Sequence, residues 1–186
     1  MIILDTKLPG VKRVLAEPRG DARGLFARLY CPVEFAAAGI DFTPRQVNLS
    51  TNLERGTLRG LHFQKPPHAE AKLVRAVRGR AWDVVVDLRP GPGFGSWLAE
   101  ELAADRLNAL LLPEGVAHGF LTLEAETDIL YQMGRDHAPG HADGLPWDDA
   151  GLGIDWPFEP QVLSDADSGW APLALRADLQ NGAAAP

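Results

Sequence analysis

A chain of 186 residues that is 46% hydrophobic has enough apolar material for one domain with a sizeable core. Its 19 glycines and 15 prolines argue against a helical protein and predict many short strands joined by turns. The formal net charge of −7 excludes a global attraction for nucleic acid or for anionic membrane surfaces, yet a local basic cluster can still hold an anionic small molecule.

The first residues bring Asp5 and Lys7 early and lack the basic start and long apolar centre of a signal peptide. No window approaches the roughly 20 apolar residues that span a bilayer. Cys31 is the only cysteine, which excludes an internal disulfide and a Cys-rich metal site. A cytoplasmic protein with neither a membrane nor a nucleic-acid partner is the expectation. Pro32 to Ile40 reads as one short helix stopped by Gly39. From Gln46 the pattern is β. Lys72 to Val77 and Ala81 to Leu88 are strands parted by the turn Arg78-Gly79-Arg80. In the second of these, Trp82, Val84, Val86 and Leu88 share one face, and Asp83, Val85 and Asp87 share the other. Leu110 to Leu112, Gly119 to Leu123 and Asp128 to Met133 are further strands, broken by Pro113-Glu-Gly115 and Glu124-Ala-Glu126. Beyond Met133 the chain is irregular, and residues 173–186 read as a flexible tail with a frayed Asn181–Pro186 end. No repeat or linker divides residues 1–186, so a single all-β domain is expected, an antiparallel sandwich or barrel of the jelly-roll kind.

Polar side chains stand where strand alternation calls for a core. His62 and Gln64 alternate with Leu61 and Phe63; Lys72 shares a face with Val74 and Ala76; Tyr131 shares one with Ile129 and Met133. Burying such groups without partners costs a few kcal/mol each, so a polar pocket is the economical reading. Each residue alone has a plainer one. A strand histidine is usually structural, Lys72 can snorkel, Tyr131 can be a core aromatic with a bonded hydroxyl, and His118 can be a turn residue. Arg23, Arg59 and Arg75 read singly as surface arginines. The combination carries the argument.

The segments Asp21-Ala-Arg-Gly24, Gln46-Val-Asn-Leu-Ser50, Arg59-Gly-Leu-His-Phe-Gln64, Lys72-Leu-Val74, Asp83-Val-Val-Val-Asp-Leu-Arg89, Pro113-Glu-Gly-Val-Ala-His-Gly-Phe120 and Trp156-Pro157 occur in this order. In them the chain resembles the RmlC-like cupins, the family of dTDP-4-dehydrorhamnose 3,5-epimerase, from about Asp21 to Asp167. The resemblance implies a cupin-type antiparallel jelly-roll barrel with short terminal extensions and a few short helices. It implies an isomerase that inverts C3 and/or C5 of a nucleotide-diphosphate 4-keto-6-deoxyhexose, with no cofactor and no metal. His62 matches the family's catalytic base and Asp167 the acid that orients it. Tyr131 matches the proton donor on the opposite side of the sugar, and Lys72 the lysine that stabilises the enolate oxygen. Arg59, Gln46, Asn48 and His118 match polar residues around the sugar and diphosphate. Arg23 and Phe26 match a nucleotide-contacting segment that reaches in from the neighbouring subunit of a homodimer.

Elementary chemistry makes the set coherent. A C–H beside a ketone is too weak an acid for an imidazole unless the enolate is stabilised, which a lysine and nearby donors in a water-poor site can do. A carboxylate partner sets the tautomer of His62 and stabilises its charged form. Inversion needs a base on one face and an acid on the other, and a diphosphate suits arginine forks.

The chain departs from the thymidine-specific pattern at Arg28 (usually glutamate), His137 (usually tyrosine) and Ala166 (a common lysine). All three concern the nucleotide side or the rim, so CDP, GDP and UDP sugars stand beside dTDP as substrates. Three rivals remain. A metal-dependent cupin needs clustered histidines and a carboxylate, for which His68 and Glu70 would have to turn inward from the Pro66-Pro67 loop. A non-catalytic sugar-nucleotide binder would not need both acid and base. A mono-epimerase, or an enzyme making a 3,4-keto shift, differs by distances that spacing does not record.

Overall fold

The computed structural model describes residues 1–180. Two antiparallel sheets form a jelly-roll. The first has six strands in the order β1 (Ile2–Asp5), β2 (Lys12–Leu15), β10 (Asn108–Leu112), β7 (Lys72–Arg78), β12 (Thr127–Met133) and β5 (Gln46–Asn52). The second has five, in the order β13 (Ala142–Gly144), β6 (Leu58–Gln64), β11 (Val116–Thr122), β8 (Arg80–Asp87) and β9 (Trp97–Ala103). A separate hairpin pairs β3 (Arg19–Asp21) with β4 (Gly24–Phe26). The all-β jelly-roll expected from the sequence is the observed architecture. Among the described residues no helix is long and apolar enough to cross a membrane.

Alternation along the strands divides the apolar side chains into three layers. Val74, Ala76, Leu110, Leu112 and Ile129 of the first sheet meet Ala81, Val85, Leu98, Leu102, Val116 and Phe120 of the second. The opposite face of the second sheet, with Leu61, Phe63, Val84 and Val86, is covered by the later chain through Leu145, Leu152, Trp156 and Leu173. The outer face of the first sheet, with Leu73, Ala109 and Leu111, is covered by Phe35 and Phe42. Phe35 belongs to α1 (Pro32–Ala37), which ends two residues before Gly39 and three before the expected Ile40.

Most of the expected strands are one or two residues longer than the sequence pattern suggests, because ladder pairing continues into residues with no apolar alternation. His118, read alone as a turn residue, lies within β11. Arg75, read alone as a surface arginine, is only 2% exposed. It lies on the outer face of β7, where its Nη2 donates to the Leu29 carbonyl at 2.6 Å, and burial depresses its guanidinium to about 10. Residues 173–180, expected to begin a flexible tail, are docked. Leu173 is buried, and α3 (Ala177–Gln180) follows Arg176, which is bound to Asp143. The reason is contact chemistry that no periodicity records: Leu173 N–H donates to the Asp149 carboxylate at 2.6 Å. Residues 181–186, the rest of the expected tail, lie outside the described residues.

Candidate active site

β6 and β11 run side by side with His62 paired to His118. Strand parity turns both imidazoles, with Lys72 of β7, Asp83 of β8 and Tyr131 of β12, toward the space between the sheets. These residues come from five strands, yet each occupies the inner face that its apolar neighbours define. The close approach of β6 to β11 depends on Gly60, at φ +137°: a Cβ there would fall 2.4 Å from the Gly119 Cα.

His62 Nε2 lies 2.5 Å from Asp167 Oδ1. Asp167 sits on α2 (Asp165–Ser168), a single turn whose cap, Ser164 Oγ, accepts the Asp167 N–H at 3.1 Å. Asp167 is 5% exposed, whereas the His62 side chain is 43% exposed and opens into a cavity. Burial works to raise the Asp167 carboxyl. The bond and charge of His62, with longer contacts from Gly60 N–H and Trp170, outweigh it and hold the group below the usual carboxylate range.

A second His–Asp pair lies deeper. His118 Nε2 is 2.8 Å from Asp83 Oδ2, and Asp83 is fully buried. Burial pushes the Asp83 carboxyl up against the opposing influence of His118. Tyr131 packs edge-on to His118, with ring centroids 5.9 Å apart. Burial, and next the negative Asp83, push the Tyr131 phenol well above its ordinary value against the pull of Arg59, so the hydroxyl keeps its proton.

Lys72 Nζ is 3.1 Å from Glu70 Oε1, and Glu70 also accepts from Gln64 Nε2 at 2.8 Å. Glu70 therefore does turn inward from its loop, but it meets an ammonium and an amide. Among the described residues no three His, Cys, Asp or Glu side chains group to hold a metal ion. Arg59 Nε donates to Asn52 Oδ1 at 2.8 Å. Gln46 Oε1 accepts the His137 N–H at 3.1 Å, and Asn48 pairs with Tyr131 across β5 and β12.

The cavity at His62 holds about 400 Å³, within the range of small-molecule sites, and is walled by Arg59, Lys72, Glu70, His137, Asp143 and Trp170 among others. Ala166 lies on its rim. A wider cavity of about 940 Å³ lies beyond His137, with Arg45, His68, Arg135 and His141 on its walls. It holds neither His62 nor Lys72, so the smaller cavity is the chemically relevant one.

Seven sequence-singled residues do not line this cavity within one chain: Gln46, Asn48, His118 and Tyr131, which stand on β5, β11 and β12, and Arg23, Phe26 and Arg28. Arg23 is paired with Asp21 at the hairpin tip, Phe26 is 76% exposed, and Arg28 is bound to Glu34 at 2.7 Å. Asp83 and Trp170 are brought to the site without having been singled out, and Glu70, weighed only as a metal ligand, arrives as the partner of Lys72 and Gln64. Asp83 carried a signal, a charge on the same strand face as Val85. Glu70 and Trp170 lie in irregular segments whose direction no periodicity records.

The family profile described as dTDP-4-dehydrorhamnose 3,5-epimerase matches residues 5–174. The dTDP-4-dehydrorhamnose 3,5-epimerase of Sinorhizobium fredii is 42% identical over 160 residues, covering 85% of this chain and 82% of that protein. The dTDP-4-dehydrorhamnose 3-epimerase of Streptomyces niveus is 38% identical over 162 residues, covering 86% and 78%. The crystal structure of the Bacillus anthracis 3,5-epimerase with TDP and PPi bound superposes with a TM-score of 0.90 at 37% identity, covering 92% of this chain and 99% of that one. The Legionella pneumophila 3,5-epimerase in complex with dTDP-4-keto-L-rhamnose gives 0.90 at 32% identity, covering 96% of each chain. With a jelly-roll that gathers His62, Lys72 and Tyr131 from separate strands onto one inner face, and with matches spanning nearly its whole length, the chain belongs to the dTDP-4-dehydrorhamnose 3,5-epimerase family of isomerases.

Proposed function

We propose that the protein epimerises dTDP-4-keto-6-deoxyglucose at C3 and C5, giving dTDP-4-keto-rhamnose. The observation that carries this reading is the His62–Asp167 pair at 2.5 Å, open to a cavity whose wall bears Lys72, with a protonated Tyr131 on another strand of the inner face. His62, oriented by Asp167, takes the proton from the carbon beside the ketone. The C–H electron pair passes to the C4 oxygen as an enolate, which Lys72 stabilises by charge. Tyr131 then delivers its proton to the carbon from the other side. Solvent reprotonates Tyr131 and accepts the proton from His62, so the isomerisation is redox-neutral. Arg59, Gln46, Asn48, His118 and His137 bind the sugar and diphosphate.

The nucleotide site is completed by a second copy of the chain in a homodimer. Val47 and Leu49, 61% and 58% exposed on the outer face of the edge strand β5, support such an interface. So do Leu25 and Phe26 on the projecting hairpin, which stands clear of its own chain's cavity. Arg23, Phe26 and Arg28 then act on the second copy's substrate. We assign the enzyme to the cytoplasm, in keeping with the lone free thiol of Cys31.

A mono-epimerase is the second reading, favoured by the Streptomyces niveus relative named for 3-epimerisation. Incubation with dTDP-4-keto-6-deoxyglucose in heavy water tests both. Deuterium at C3 and C5 supports the main reading, and deuterium at one carbon alone supports the second. No exchange with dTDP, CDP, GDP or UDP 4-keto sugars would remove the enzymatic reading.

A further inference from the structure

Trp170 stands between the His62–Asp167 pair and β13. Its indole Nε1 is 3.4 Å from Asp167 Oδ1, a long contact on the oxygen that His62 approaches at 2.5 Å. Its ring meets the imidazole edge-on, with centroids 6.4 Å apart and planes at 73°. On its other side the indole rests on Gly144. A Cβ at that position would lie 2.4 Å from Trp170 Cε2 and 2.6 Å from Nε1, so only a hydrogen fits. Gly144 is the residue that β13 pairs with His62 of β6. The contacts thus close a circuit from His62 across the ladder to Gly144, then to Trp170, Asp167 and back to His62.

The segment that presents Trp170 is tied down beyond it. Arg176 grips Asp143 at 2.8 and 3.1 Å and the Gly144 carbonyl at 3.2 Å. Leu173 is held at Asp149. By contrast, α2, which carries Asp167, is four residues long, and so short a helix has little stability of its own. The direction of the Asp167 carboxylate must come from what packs on it, and Trp170 is half-buried against it.

We propose that Trp170, seated on Gly144, is a positioning residue that fixes the angle at which Asp167 meets His62. This rests on the reading of His62 as base and Asp167 as its orienting partner. The indole exchanges no proton with the substrate. It acts as a stiff wedge with two side-chain torsions, and its seat exists because residue 144 has no side chain. A small misdirection of His62 is costly, since about 1 Å of displacement from an attack geometry can cost 100-fold in rate.

Native protein, Trp170→Ala, Trp170→Phe, Gly144→Ala and His62→Ala are compared by steady-state kinetics on dTDP-4-keto-6-deoxyglucose, thermal midpoint and imidazole NMR, with the His62 ring signals assigned by their loss in His62→Ala. Trp170→Ala is expected to lower kcat about tenfold or more with KM within about threefold of native. Gly144→Ala, which pushes the indole from its seat, behaves alike. Trp170→Phe refills the space and recovers kcat to within about threefold of native. The His62 ring signals broaden or shift in Trp170→Ala and Gly144→Ala and stay near native in Trp170→Phe. Native kcat and unmoved His62 signals in Trp170→Ala overturn the proposal. So does a change confined to KM, which would make the indole a substrate wall. Full activity of His62→Ala instead sinks the catalytic reading, while the ring signals still report whether Trp170 positions that side chain.

Discussion

Asp83 lies wholly inside the jelly-roll, with Oδ2 at 2.8 Å from His118 Nε2 and Oδ1 without a hydrogen-bond partner among the described residues. A carboxylate so placed is costly to ionise, which is why burial raises it. Its negative charge also helps to keep the Tyr131 phenol protonated.

The first prediction concerns stability. A carboxyl raised on folding contributes stability that is present below the ordinary carboxylate range and is lost as pH rises through its raised value. We expect Asp83→Asn to gain in thermal midpoint relative to native protein as pH rises above the ordinary carboxylate range. Melting curves across that rise check it, and a difference independent of pH would sink the idea.

Asp167 has the opposite sign. Its carboxyl is held low, so its contribution is present above the ordinary Asp value and is lost as pH falls through the lowered one. Asp167→Asn should forfeit that contribution at neutral pH, and its deficit against native protein should shrink on acidification. Its kcat should fall at least about a hundredfold, since an amide misdirects the imidazole tautomer. Paired melting and kinetic measurements test both halves.

His62→Ala and Tyr131→Phe should each lower turnover at least about a hundredfold. They separate in heavy water. Tyr131→Phe retains the base and still exchanges C–H for C–D without inverting the centre, whereas His62→Ala exchanges nothing. Near-native turnover in His62→Ala would remove His62 from its role.

The exposed apolar face of β5 gives an assembly prediction. Leu49→Glu places a charge on a face that carries Val47 and Leu49. Native protein should sediment as a dimer and the variant as a monomer with a raised KM. A native monomer that is fully active would dispose of the completed-site reading.

Gly60 supplies a backbone prediction. An alanine there meets both a φ of +137° and the Gly119 Cα at 2.4 Å, with no flexible side chain to give way. Gly60→Ala should cost about 2 kcal/mol or more, read by denaturant unfolding.

Much of the site was legible because strand parity is written in the chain. Two-residue alternation in Arg59–Gln64, Lys72–Val77 and Asp128–Met133 points His62, Lys72 and Tyr131 to one side, and the structure turns that side inward. Resemblance added Asp167, which sits 105 residues from His62 on a turn with no pattern of its own. What alternation cannot carry is the direction of side chains in irregular segments. Glu70 binds Lys72 and Gln64 from a proline loop, and Trp170 finds its seat through an absent side chain at Gly144.

By itself, then, the sequence determined an all-β chain, the inner-face residues of β6, β7 and β12 and the family motifs in order. These are local properties, set by a period of two and by turn residues. Tertiary structure alone decided that His118 meets Asp83, that Arg75 is buried beneath the Leu29 carbonyl and that residues 173–180 are strapped to β13 through Arg176. Those pairings join residues dozens of positions apart, and they form only where packing of the two sheets brings their ends within hydrogen-bond reach.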